Sequence, residues 1–225
     1  KISEPFKNLF TQGMVCHETY KDTKGQWLYP EEVEKISLNK AIKKSDKSEV
    51  IIGSSESMSK SKKNTIDPET MINEYGADAV RWFILSDSPP EKDVQWSDIG
   101  VKSANKFLQK IWNLNYQVKQ RTENKINKNL EKEFVYKTDL FMNKIEKSIE
   151  NFQLNVCIAQ FYEMYKFMNN HIELQIGNLL FKKQLEKIMV CMIPFTPHLA
   201  YECLELHETK EISCWPKINM STENI

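Results

Sequence analysis

Glu49-Val50-Ile51-Ile52-Gly53-Ser54-Ser55-Glu56-Ser57-Met58-Ser59-Lys60-Ser61-Lys62-Lys63-Asn64, continuing into Thr65-Ile66-Asp67-Pro68, decides how the rest of the chain is read. Glu49–Gly53 is a short β-branched run, the composition of a strand. The Ser/Lys stretch after it has no apolar period and reads as a mobile loop over residues 54–64. Helix grammar then takes over. Asp67 is a good cap, Pro68 suits a first helical position, and Gly76 stands where that helix should stop. Ala77-Asp78 restarts the pattern, with Ala79, Val80, Phe83 and Ile84 apolar. Strand, hydroxyl- and ammonium-bearing loop, helix: this order can close a movable positive charge over a phosphate group. One donor so placed against a leaving pyrophosphate contributes about 2–4 kcal/mol in the transition state. Taken alone, a Lys/Ser-rich loop is as readily a solvated linker.

Upstream, Phe10–Tyr20 leans toward strand and Gln26-Trp27-Leu28-Tyr29 is a second apolar run. Asp22-Thr23-Lys24-Gly25 between them supplies turn chemistry, so a hairpin is expected. Pro30-Glu31-Glu32-Val33 reads as the first turn of a helix, with acids favoured by its dipole. Downstream, Ser88-Pro89-Pro90-Glu91-Lys92-Asp93 interrupts the helical pattern and marks the expected domain boundary. Beyond it lie four apolar stripes at helical spacing. Val101, Ala104, Phe107, Leu108, Ile111 and Trp112 form the first; Phe134, Phe141, Ile145, Ile149 and Phe152 the second. Ile158, Tyr162, Tyr165 and Met168 form the third, and Leu185, Ile188, Met189 and Met192 the fourth. Pro194 and Pro197 separate a short fifth helix, His198–Leu206, and 212–216 is strand or irregular. Stripes joined by polar connectors argue an antiparallel helix bundle.

The 225 residues hold 31 basic and 31 acidic side chains, and the 40% of hydrophobic residues suffice for a core, which argues against wholesale disorder. No window reaches the roughly 18 apolar residues of a membrane span. The chain starts Lys1-Ile2-Ser3 without initiator Met or apolar leader, as expected of a piece of a longer chain. Cys16, Cys157, Cys191, Cys203 and Cys214 make no C-x-x-C pair and read as buried thiols in a reducing compartment, with no metal site. Neutrality hides asymmetry. Residues 102–147 carry eleven basic and five acidic side chains, a surplus that suits a polyanion or a solvated helix face. Arg81 and Arg121 are the two arginines.

These pieces, in order, resemble class I aminoacyl-tRNA synthetases, and among them the bacterial-type leucyl-tRNA synthetase family. The stretches are Glu4–Val15 with His17–Asp22, Met58-Ser59-Lys60-Ser61, Tyr75–Arg81, Pro89–Asp98, Pro194–Ala200 and Trp215-Pro216. The likeness covers nearly the whole chain. It implies a mixed fold: the carboxy-terminal part of a doubly wound α/β catalytic domain over residues 1–90, including a remnant of the leucine-specific insertion. An all-α antiparallel bundle of anticodon-binding type follows over 91–216, and then a tail, 217–225.

The resemblance further implies a ligase that activates leucine with ATP, accompanied by Mg2+, and transfers it to tRNA(Leu), as a monomer in the cytoplasm without a membrane. Lys60 matches the second Lys of the family's K-M-S-K-S motif and is the catalytic candidate; Ser57, Met58, Ser59, Lys60 and Ser61 are the ATP-binding candidates. Ser57 stands where that motif has its first Lys, so restoring Lys is expected to speed leucyl-adenylate formation. Lys102, Lys106, Lys110, Lys119 and Arg121 gain the tRNA backbone as partner, by weak, salt-sensitive contacts. No segment resembles the family's H-I-G-H half of the site or its editing domain. The segment by itself is therefore expected to be inactive, to hold no cofactor tightly, and to associate through a cut sheet. Two rivals remain at this point: an isoleucine, valine or methionine enzyme of the class, and a non-catalytic tRNA-binding or structural helical module. His198 reads as a helix-start or packing residue, His17 as hairpin structure, and Trp96 and Trp112 as core or interdomain packing. Arg81 pairs with Asp78 or Glu74, or orients the loop from behind.

Overall fold

The structure, a computed structural model, describes residues 4–122, 125–209 and 215–218. It divides into two compact units. The first comprises residues 1–73 and 90–98, the second 74–89 and 99–225. A single cut near residue 90 is therefore not how the chain is partitioned. The helix over 77–87 goes with the second unit, and the chain returns to the first unit to add one more strand.

The first unit is a sheet. β1 (Val15–Lys21) and β2 (Trp27–Leu28) form the expected antiparallel hairpin, with Tyr20 opposite Leu28. Its turn rests on Asp22, whose carboxylate accepts from the Lys24 and Gln26 N–H groups, and on Gly25, whose φ of 81° few side chains tolerate. The helix expected from Pro30 is only a single 3-10 turn, Pro30–Glu32. The chain then enters β3 (Val33–Ser37) and β4 (Lys40–Lys43), which pair antiparallel. β5 (Glu49–Ser57) is four residues longer than the expected strand and pairs antiparallel with both β4 and β1. Residues 54–57, expected as mobile loop, are thus ladder, with Ser57 opposite Cys16.

β6 (Val94–Gln95) is the one parallel neighbour, beside the start of β1. Of the described strands, then, all pairings but one are antiparallel, and no doubly wound order appears in this segment. The physical reason is connection length: hairpin-length links join β1 to β2 and β3 to β4, and parallel neighbours need long crossovers. Tyr20, Leu28, Val33, Ala41 and Val50 form the core of the unit, with Ile52 packed on it. Gly13 donates to the Pro90 carbonyl at 2.9 Å, and a Cβ there would collide with the Lys92 carbonyl. That close approach ties residues 90–93 to the sheet.

α1 (Pro68–Tyr75) begins as expected, with Asp67 Oδ1 accepting from the Glu69 N–H at 3.2 Å. Gly76, at φ 84°, separates it from α2 (Ala77–Asp87). The second unit continues with α3 (Asp98–Gln120), α4 (Lys128–Glu150), α5 (Leu154–His171), α6 (Asn178–Met192) and α7 (Pro197–Leu206). α4 packs on α5 and α6, α6 on α7, and α2 on α5 and α7. Trp82 is fully buried between Phe107, 5.2 Å away, and Phe161, 5.8 Å away. Its indole N–H donates to the Tyr162 hydroxyl at 3.2 Å. Each such side chain contributes about 1.5–3 kcal/mol by leaving water.

Three stripe members depart from the core: Trp112, Phe152 and Tyr162 are 36%, 53% and 41% exposed, and Phe161 and Met164 take the interior of α5. Trp96 is half-buried and donates to Asp98 at 2.8 Å.

α7 shows how helix ends are satisfied from a distance. Its own cap residue, Thr196, makes no side-chain cap bond. Asp78 of α2 instead accepts from the Leu199 N–H at 2.7 Å and meets His198 Nδ1 at 3.0 Å. Arg81 pairs with neither Asp78 nor Glu74. Its guanidinium donates to the Phe195 and Pro194 carbonyls, at 3.1 and 2.6 Å, pinning α2 to the α6–α7 turn. Cys16, Cys157, Cys191 and Cys203 are buried as expected; Cys214 lies outside the described residues, as does most of 212–216.

Candidate functional site

The loop leaving β5 is short and polar, yet its base is built. Ser57 is still in the ladder, exposed, and the Met58 N–H donates to the Val15 carbonyl at 3.1 Å. Ser59 Oγ lies 3.3 Å from Ser61 Oγ and 3.4 Å from the Lys62 N–H it accepts. The Lys63 N–H donates back to the Lys60 carbonyl at 3.3 Å, closing a tight turn. Lys63 stands at φ 53°, in the left-handed region, where a non-glycine residue stores about 1 kcal/mol or more.

The three lysines of this turn differ electrostatically, Lys63 having its ammonium 5.1 Å from the centre of the Tyr29 ring. Lys62 pairs with Glu56, and its ammonium, with the Ser54 hydroxyl, holds the Glu56 carboxyl below the usual carboxylate range. Lys60 is exposed and makes no ion pair among the described residues. Among the candidates for phosphate contact, residues 57–61, Lys60 is the one cation, and it has neither an ion pair nor an aromatic ring beside it among the described residues. Asn64, which sequence reading left as one more loop residue, is fully buried beneath the turn and bonded to four backbone groups. Nothing in the sequence singles it out, because its partners come from residues 17, 56, 57 and 59 only after folding.

The second set of candidates sorts by position on α3. Lys102, Lys106 and Lys110 are exposed and four residues apart, so they share one stripe. Lys106 and Lys110 border a shallow groove of about 350 Å³ lined also by Ser103, Phe107, Tyr162 and Tyr165. Lys119 is exposed too, but nine residues past Lys110 puts it about 180° around the helix.

Arg121 does not join them. Its guanidinium lies over Phe181, 4.7 Å from the ring centre, and donates to the Leu174 and Ile176 carbonyls at 3.0 and 3.1 Å. Burial lowers its pKa, opposed by Glu173. A side chain committed to packing and to two carbonyls is a brace for the α5–α6 connection, not a free phosphate contact. His17 bonds the Glu18 carbonyl at 2.7 Å, as hairpin structure. No three His, Cys, Asp or Glu side chains come together as a metal site among the described residues, and no helix there is long and apolar enough to cross a membrane.

Residues 48–97, which contain this loop, match the family of class I tRNA synthetases for isoleucine, leucine, methionine and valine. Residues 131–225 match the anticodon-binding domain of tRNA ligases. The chain belongs to the class I tRNA synthetases, in the leucine–tRNA ligase family. Within that family it is 43% identical to a leucine–tRNA ligase of Bartonella henselae over 96% of its own length and 26% of the relative's. It is 39% identical to one from Wolbachia pipientis wMel, over 88% of this chain and 23% of that protein. The chain spans about a quarter of the length of these relatives. In fold it resembles a leucyl-tRNA synthetase of Agrobacterium radiobacter K84, solved in a ternary complex with tRNA and LeuAMS. The TM-score is 0.69, at 21% identity over 97% of this chain and 25% of that one.

Proposed function

We propose that this chain carries the ATP-facing loop and the tRNA-contacting helical unit of an enzyme that joins leucine to tRNA(Leu). The leucine carboxylate attacks the α-phosphorus of ATP, the bond to the bridging oxygen breaks, and pyrophosphate leaves. Lys60 meets the charge that grows on that leaving group, and the Ser59 and Ser61 hydroxyls and backbone N–H groups of residues 57–61 offer short-range bonds. ATP enters as its Mg2+ complex, a substrate, and no residue of this segment is assigned to the ion. The remainder of a doubly wound nucleotide fold, outside this segment, completes the site. The helices, in an antiparallel bundle, hold the tRNA backbone through Lys102, Lys106, Lys110 and Lys119, and the whole enzyme works as a monomer in the cytoplasm.

The observation that carries this reading is the uncompensated, exposed Lys60 above a buried Asn64, in a chain 43% identical to a leucine–tRNA ligase. The test is aminoacylation by the whole protein that contains this segment. It is expected to charge tRNA(Leu) with leucine, and preferential charging with isoleucine, valine or methionine would overturn the assignment.

A further inference from the structure

We infer that Asn64 is the positioning residue of the Lys60 loop, an inference that rests on the ligase reading and adds to it the group that sets where Lys60 stands. The Asn64 carboxamide is 0% exposed. Its Oδ1 accepts from the Ser59 N–H at 2.8 Å, and its Nδ2 faces the carbonyls of His17 at 3.2 Å, Glu56 at 3.1 Å and Ser57 at 3.4 Å. The orientation of the amide is fixed by its partners, since a flip would set NH2 against an N–H and oxygen against three carbonyls. One side chain thereby ties the loop at Ser59 to β1 and to the last residues of β5, just past the Met58 N–H to Val15 carbonyl bond where the backbone pairing ends.

The remaining restraints on the loop are weaker. Ser59, bound to Asn64, immediately precedes Lys60, so the carboxamide fixes the backbone one residue from the ammonium-bearing Cα. The left-handed turn at Lys63 directs the chain inward at Asn64, and the Lys62–Glu56 pair lies at the exposed surface, where it is screened. Asp at position 64 would lose both donors and oppose carbonyl oxygens with charge. Ala would take the acceptor from the Ser59 N–H and remove the donors that reach three carbonyls.

Positioning and general structural support are told apart by a double-mutant cycle in the whole ligase, read by leucine-dependent ATP–pyrophosphate exchange. Asn64→Ala is expected to lower kcat on the order of 10-fold to 100-fold, the scale of a misplaced catalytic group, with a much smaller change in the KM for ATP. In a Lys60→Ala background the same substitution is expected to cost little more, because Asn64 acts through Lys60. Full additivity, or an Asn64→Ala enzyme as fast as the parent, overturns the inference and leaves the ligase reading standing. If the parent itself shows no exchange, the ligase reading falls, and trypsin cleavage after Lys60, Lys62 and Lys63 still decides the loop. Cleavage faster in Asn64→Ala at unchanged melting temperature supports the carboxamide as its anchor; equal cleavage removes it.

Discussion

The loop around Lys60 is tied to its sheet by polar contacts centred on one buried carboxamide, whereas the helices that carry Lys102, Lys106 and Lys110 are held by buried aromatic and sulfur side chains. Asn64 reaches four backbone groups, its Oδ1 accepting from the Ser59 N–H and its two amide hydrogens shared among three carbonyls. Trp82, Phe134, Phe161, Phe181, Met164 and Met168 are all fully buried, and no single contact among them defines the second unit. The two regions therefore fail differently. Removing one polar group misplaces the loop without unfolding the sheet, while the helical unit loses stability in proportion to the volume deleted.

The largest expected effect breaks the helical side of this comparison. Trp82→Ala deletes a side chain in contact with Phe107 and Phe161 and leaves the Tyr162 hydroxyl without its donor. A loss of about 3–5 kcal/mol is expected in denaturant unfolding; a loss below about 1 kcal/mol would mean that the aromatic layer does not hold the unit.

The next effect depends on pH. His207 is 2% exposed, and burial, with Lys182 and Lys119 adding to it, lowers its pKa to about 4. Asn115 Nδ2 donates to the Ile111 carbonyl, so its Oδ1, 3.1 Å from His207 Nε2, accepts from a neutral imidazole. Between the ordinary value near 6.5 and about 4 the unfolded chain binds the extra proton. This contribution is thus complete above pH 6.5 and is lost as pH falls toward 4, by up to about 3 kcal/mol. His207→Gln, which keeps a donor for Asn115, is expected to flatten that part of the stability–pH curve; an unchanged slope would contradict the assignment.

A smaller effect sharpens the difference between a brace and a contact. The Lys102→Ala, Lys106→Ala, Lys110→Ala triple variant is expected to reduce the slope of log affinity for tRNA against log salt by about 2–3, near one unit for each lost phosphate contact. Arg121→Met is expected to leave that slope alone and to lower the melting temperature, since its guanidinium holds the Leu174 and Ile176 carbonyls. The reverse pattern would return Arg121 to the tRNA surface.

What sequence alone revealed follows the same division. The helices were legible because apolar residues recur at helical spacing, and the Asp67-Pro68 start and Gly76 stop carry local chemistry that folding does not alter. β3 and β4 were not legible, because each buries a single side chain, Val33 and Ala41, and so shows no alternation. Pro30-Glu31-Glu32 offered a helix start that Val33 and Ile36 turn into strand. Lys60 could be picked out as a candidate from its motif, but Asn64 could not, since its partners lie at residues 17, 56, 57 and 59. Arg121 misled for a related reason: a cation in a basic stretch looks solvated until the Phe181 ring and two carbonyls are seen around it.

The account stands most directly on Lys60. The decisive measurement is leucine-dependent ATP–pyrophosphate exchange by the whole ligase carrying Lys60→Ala. A fall in kcat of about 10²–10³-fold, with little change in the KM for ATP, is the expected result for a cation that meets charge only as pyrophosphate leaves. An exchange rate equal to that of the parent enzyme would contradict it, and the loop above Asn64 would then be a surface turn.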